Sequence, residues 1–355
     1  MSIMKSITTC LKAGALAALT LLSTPAVAQS NDSSPLSRVP AGVPIKVSAF
    51  GERPVFSPNG QKLAFMSKSY GDVFELDFGT GEISLVTGFP HAGLLRAHYL
   101  VNGDLFLIGA KYFDETFDTW TTRTNDQEMW IYRPGSEAPV PLNNTISEGI
   151  TLSYTSNLAA WAENFESTPD SIPANESVIY LSEILYDEDD NPSLGDKREI
   201  VRGNLPDCQL EPQDFINNDT ELLYNCYIVT DAGVRTHILK INLETNETET
   251  VVPFFEDEFN EGENVARDSS FFLVESNRDT PALEDSGDRL IDTWKVSLLD
   301  GPPYENWERL TFLAQDSVSK TGNPVLSPDG KTIAYSLGRI GTDPGEGFGI
   351  YIQGI

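Results

Sequence analysis

Along most of the chain, apolar and polar residues alternate with a period of two, in short runs rich in Val, Ile, Phe, Tyr and Trp. That spacing predicts β-strands with one buried face. Two stretches match each other closely: PVFSPNGQKLAF from Pro54 to Phe65, and PVLSPDGKTIAY from Pro324 to Tyr335. Each predicts a strand, a tight reversal and an alternating strand. Pro fixes φ, Asn or Asp bonds its own backbone, and Gly accepts a positive φ. Looser copies turn at Asn102-Gly103, Ser156-Asn157, Asn218-Asp219 and Asp268-Ser269. From Asn59 to Asp329 is 270 residues in five steps, an average of 54, so the chain holds six units. Each continues with a third and a fourth strand, such as DVFELDF (72–78) and EISLVT (82–87) in the first unit. No amphipathic helix is predicted. The sixth unit stops after its third strand, GIYIQGI, at Ile355. Pro44–Phe50 (PIKVSAF) has the shape of the missing fourth strand and is expected to dock there, covering an exposed edge.

Four-stranded antiparallel units arranged radially describe an all-β, six-bladed β-propeller spanning residues 44–355 and closed by the N-terminal strand. The P-x-x-S-P-[DN]-G-x-x-[LI]-A-[FY] pattern resembles the WD40-like repeat of TolB-type β-propellers. The match is close at 54–65 and 324–335 and holds in rhythm over about 44–355. The resemblance implies the fold and says little about chemistry, because the repeat recurs in binding proteins and in propeller domains of peptidases and lyases. TolB itself places an α/β domain before its propeller, and residues 29–43 are too few for one. Peptidases of this kind add an α/β-hydrolase domain, and no G-x-S-x-G elbow occurs. The chain reads as a stand-alone relative.

Residues 1–28 have the parts of a cleaved signal peptide: Lys5 and Lys12, an apolar stretch from Ala13 to Leu22, and Ala26-Val27-Ala28. Residues 29–43 read as a flexible lead-in. The expectation is an exported protein, periplasmic or secreted, monomeric and without membrane insertion. Lys and Arg total 24 against 53 Asp and Glu, a net charge of −29, which becomes −31 once Lys5 and Lys12 leave. Such an excess excludes grips on nucleic acid or anionic lipid. Hydrophobic content of 40% is too high for a disordered acidic chain. After cleavage Cys208 and Cys226 remain, placed almost symmetrically about the turn at 217–219, and a cross-strand disulfide is expected there.

The second-to-third strand loops are the long ones: Asp114–Asp126, Glu166–Ser177, Arg278–Gly287 and Gly341–Gly347. Function concentrates in loops held by a rigid scaffold, so the working face is expected on their side, around the channel mouth. Blade-entry residues His91, Arg96, His98, Glu211, Arg267 and Lys320 are expected to line that mouth and make it locally basic. Phe113, Phe117 and Trp120 put aromatics in or beside one long loop, either as a contact surface or as that loop's own core. The three histidines (91, 98 and 237) fall on different strands, so no metal site is predicted from them. The acidic run Tyr186–Asp196 has enough oxygens for Ca²⁺ but lacks the order of an EF-hand loop, and it reads as a solvated turn. Glu256, Asp257 and Glu258 are candidates for acid/base work only by proximity. No cofactor is predicted beyond that Ca²⁺ consideration. The composite expectation is a non-catalytic propeller that binds a protein, peptide or glycan. The alternative is a hydrolase or polysaccharide lyase with its site at the channel mouth.

Overall fold

The strands pair in sequence order, and the ring follows from that pairing. The computed structural model describes residues 35–112, 127–231, 233–280, 289–302, 304–342 and 345–355. Blade one is Glu52–Phe56, Lys62–Met66, Val73–Asp77 and Ile83–Leu85; blade two is Leu94–Tyr99, Leu105–Ala110, Gln127–Tyr132 and Val140–Ile146. Blade three is Ile150–Leu152, Leu158–Asn164, Glu176–Tyr186 and Arg198–Asn204; blade four is Gln209–Ile216, Glu221–Thr230, Gly233–Asn242 and Thr248–Val252. Blade five is Asn260–Val265, Phe271–Ser276, Asp292–Ser297 and Trp307–Arg309. Blade six combines Ser319–Leu326, Thr332–Arg339 and Ile350–Gly354 with Ile45–Ser48 from the other end of the chain. The protein is a six-bladed, all-β propeller closed by its N-terminal strand. Helix among the described residues is confined to two short 3-10 turns, Pro35–Arg38 and Leu313–Asp316. None is long and apolar enough to cross a membrane.

The repeated turns form by one chemistry. In blade one the Ser57 hydroxyl donates to Asn59 Oδ1 (2.8 Å) and accepts from the Lys62 N–H (3.0 Å), while Gly60 takes φ 68°. In blade six Ser327 donates to Asp329 (2.6 Å) and accepts from the Thr332 N–H (3.0 Å), and Gly330 also sits at φ 68°. The Ser and the Asn or Asp of the motif are therefore one hydrogen-bonded unit.

Alternation places the apolar faces between blades, and six buried clusters occupy the six junctions. Leu105 and Leu107 of blade two meet Ala64 and Met66 of blade one, and Trp161 of blade three meets Phe106 and Ile108 of blade two. Across the closing junction, Ile350 and Ile352 meet Phe56 and Phe65, with Leu36 from the lead-in buried against them. One departure from the simple repeat is the 11-residue third strand of blade three. Its far end outruns the fourth strand and pairs instead with Pro192–Leu194. The acidic run beyond it closes on itself, with Asp187 Oδ1 accepting the N–H groups of Asp189 and Asn191.

Cys208 and Cys226 are joined by a disulfide that ties the start of blade four to its second strand across 18 residues. Closing a loop of that length contributes about 3 kcal/mol through restriction of the unfolded chain. Cys226→Ser with Cys208→Ser is expected to lower urea-unfolding stability by about that amount. A thiol assay on a denatured, unreduced chain that begins at Gln29, and so lacks Cys10, is expected to find no free thiol. Two reactive thiols would show the bridge is not made.

Candidate functional site

The innermost strands run down the wall of the central channel, and in five of the six blades their pairing with the second strand slips. Register shifts fall between Glu52 and Val55, Leu94 and Arg96, Pro212 and Asp214, Gly262 and Val265, and Gly322 and Val325. A bulge re-aims the side chains around it. Here it puts Arg53 and Asn323 in the left-handed region, at φ 51° and 49°, each immediately before a proline. That is a strained place for residues with a Cβ.

Two cavities lie along the channel. The larger, about 640 Å³, opens among the long loops and is lined by Glu166, Arg289, Thr342 and Glu346 together with channel residues. The smaller, about 90 Å³, is lined by Pro58, Tyr154 and Arg267 of the short turns on the other side. Arg53, Arg96 and Asn323 line both, so they mark the waist between them.

Charged groups at the waist hold one another. Arg53 Nη2 lies 2.5 Å from Glu148, and Arg96 Nη2 lies 3.2 Å from both Glu148 and Glu211. The Tyr227 hydroxyl sits between Glu211 (2.5 Å) and Glu261. Glu275 accepts the Asn323 N–H. Burial alone would lower the Arg53 pKa, but Glu148 and Glu52 outweigh it and hold the guanidinium firmly charged. The carboxyls move the other way. Burial, with Glu275 and Glu211 beside it, pushes Glu261 up to about 8. Burial also raises Glu263, reinforced by Glu275 and Glu261, and it raises Glu275 and Glu211.

Arg96, Glu211 and Lys320 come together on the wall of the large cavity. The other expected residues do not join them. His98 faces the smaller cavity, where burial, Arg96 and Arg53 push its pKa down to about 3 and keep it neutral. His91 pairs with Asp72 at 2.9 Å and lines neither cavity. Arg267 belongs to a short turn on the opposite side, donating to the Pro58 carbonyl (3.2 Å) and lying over the Tyr154 ring. His237 bonds Thr250 (3.1 Å) on the third strand of blade four. Trp120, with Phe113 and Phe117, lies outside the described residues.

The basic mouth is also corrected. Seven glutamates line the large cavity against four arginines and one lysine among the described residues. Three of the residues that make it glutamate-rich, Glu148, Glu261 and Glu275, do not stand out in an acid-rich sequence. The legible signal was Asn260-Glu261-Gly262-Glu263-Asn264, two acids on alternate positions of a blade's first strand. Glu275 pairs opposite Glu261, which brings Glu261, Glu263 and Glu275 to oxygen separations within 4.8 Å. Among the described residues, these three are the carboxylates close enough to meet at one cation.

The ring is similar to TolB-type propellers. TolB from Acinetobacter baumannii superposes with a TM-score of 0.45 at 14% identity, over 83% of this chain and 63% of that one. The chain therefore spans less than two thirds of that TolB's length. A putative TolB from Agrobacterium tumefaciens gives a TM-score of 0.42 at 14% identity, covering 86% and 83%. An oligogalacturonate lyase in complex with manganese gives 0.46 at 14% identity, covering 86% and 77%. No family model and no curated protein sequence matches the chain. At such identities the likeness concerns fold alone.

Proposed function

We propose that this propeller is an exported binding protein that takes a protein or peptide segment into the large cavity on its loop-rich side. The observation that carries this reading is the cavity itself: about 640 Å³, with a wall of charged groups already fixed by one another. Arg96 bridges Glu148 and Glu211, and Tyr227 bridges Glu211 and Glu261, so the wall is preorganised and little ordering cost remains when a ligand enters. Its aromatics are Tyr227 and Phe259, the latter covered by the Arg289 guanidinium at 4.1 Å. A polar segment suits this wall better than sugar rings seeking stacking faces.

A second reading rests on Glu261. A carboxyl that stays protonated near neutral pH is suited to act as a general acid, as a hydrolase or lyase requires. One experiment separates the two. Thermal-shift titration with peptide and oligosaccharide libraries is expected to find peptides that raise the melting temperature and are recovered intact. Glu148→Gln, which removes the carboxylate that Arg53 and Arg96 share, is expected to weaken them at least tenfold. Turnover of any hit that vanishes in Glu261→Gln would favour the enzyme instead, and a response to oligosaccharides alone would overturn the peptide reading.

A further inference from the structure

We propose that the channel wall below the large cavity recognises a primary ammonium group with a carbonyl oxygen beside it, the chemistry of a peptide N-terminus. This rests on the binding reading above and names the end of the chain that enters.

Two independent features meet here. The first is the carboxylate trio. Glu261 and Glu263 project from the bulged first strand of blade five, and Glu275 faces them from the second. Their oxygens lie within 4.8 Å of one another; Tyr227 donates to Glu261 and the Asn323 N–H to Glu275, Glu263 and Glu275 hydrogen-bond each other, and among the described residues no cation pairs with the three. An ammonium has three N–H donors, one for each carboxylate, and three acceptors at hydrogen-bond distance around a tetrahedral nitrogen stand about 4.6 Å apart. The spacing of the trio admits that arrangement.

The second feature is Arg53. It is 8% exposed and held at a strained φ of 51° before Pro54. Only its Nη2 makes a hydrogen-bond-length contact, to Glu148; Nε lies 3.8 Å from Glu52, and neither Nε nor Nη1 makes a hydrogen bond. Buried guanidinium donors without acceptors are costly, and strain of this kind persists where the surroundings impose it. Arg53 acts electrostatically on Glu275, as Arg96 does on Glu261 and Glu263. The missing partner is therefore an oxygen acceptor next to a positive charge.

Charge decides between ligands. A free carboxylate would satisfy Arg53 but would enter a wall already rich in glutamate. A divalent ion would satisfy the trio but add two positive charges near Arg53 and Arg96 and give Arg53 no acceptor. It would also find fewer oxygens than the six to eight that Ca²⁺ takes. An α-ammonium group carries one positive charge and, two bonds away, the carbonyl that Arg53 lacks. Burial raises the proton affinities of the trio, and an ammonium bound there would lower them.

The test is calorimetric titration of the mature protein at pH 8 with trialanine, N-acetyl-trialanine and CaCl₂ as separate probes. Trialanine is expected to bind at least tenfold more tightly than its acetylated form. Glu263→Gln and Arg53→Lys are each expected to remove most of that preference, with melting curves confirming that both variants are folded. Equal binding of the two peptides would overturn the ammonium inference and leave the peptide reading standing. No binding of either peptide, with no hit in the peptide library, would overturn both. Ca²⁺ binding abolished by Glu263→Gln, without a trialanine preference, would reassign the trio to a metal and overturn the inference.

Discussion

A chain that begins at Gly51, without Ile45–Ser48 and the lead-in, is expected to melt about 10 °C or more below the mature protein and to aggregate. Ile45 pairs with Ile352, Lys46 with Tyr351 and Ser48 with Ile350, so the truncation leaves Ile350–Gly354 as an open edge. It also removes the Gly42 N–H bond to the Gly354 carbonyl (2.9 Å) and the Gly354 N–H bond to Pro40 (3.1 Å). Leu36, 4% exposed, and Val47 leave the apolar cluster that joins blades six and one. Lost burial and hydrogen bonds together come to about 5 kcal/mol. The exposed strand is apolar and unpaired, the condition under which edges template association. Size-exclusion chromatography and a thermal melt read both effects. A truncated chain that stays monomeric and melts with its parent would show that closure contributes little.

The second large effect is on pH. Stability is expected to fall as pH rises from about 6.5 to 8.5, a window in which ordinary surface carboxylates are ionised in both states and contribute no slope. Glu261 titrates at about 8 and Asp214 at about 7 in the folded chain, against 4.5 and 3.8 without the fold. Each therefore holds a proton in the folded state that the unfolded chain has released. Its stabilising contribution is complete below the unfolded value and is lost as pH passes the folded one. For the two groups the loss is on the order of several kcal/mol. Glu261 is faced by Glu275, Glu211, Glu263, Tyr227 and Arg96; Asp214 is faced by Tyr154, Asn264, Asp219 and two backbone N–H groups. His98 and His237, both with lowered pKa, act oppositely, but only below 6.5, so the window above it reports the carboxyls. The lowered Asp77, Asp187, Asp268, Asp300 and Asp316 act below about pH 4. Urea melts at intervals across this window measure the slope. Glu261→Gln keeps an acceptor for Tyr227 and is expected to flatten the curve. A variant with the parent's slope would show that Glu261 is not the titrating group.

The two predictions differ in how far the amino-acid sequence alone could have led to them. Ring closure was legible because strand alternation and turn chemistry are local. Ser57-Pro58-Asn59-Gly60 makes its turn from its own atoms, and Ser327 to Gly330 repeats it. Counting such units yields six blades, and a unit one strand short asks for a strand from elsewhere. The titrating cluster was not legible in the same way. In a chain with 53 acids the alternation of Glu261 and Glu263 is a faint local signal, and nothing local separates Glu275 from the solvated ones.

Local chemistry by itself determined the all-β class, the period, the blade number and the closing strand, since each depends on neighbours a few residues apart. The tertiary structure alone decided which residues make up the channel wall. A bulge in the first strand of a blade shifts side chains by one position, and a one-position shift exchanges the two faces of a strand. That slip falls at Arg53, Glu261 and Glu263, whereas the expectation of His91 and Arg267 rested on their standing at blade entries. It turned an expected basic mouth into a glutamate-rich one, with two arginines held at its waist.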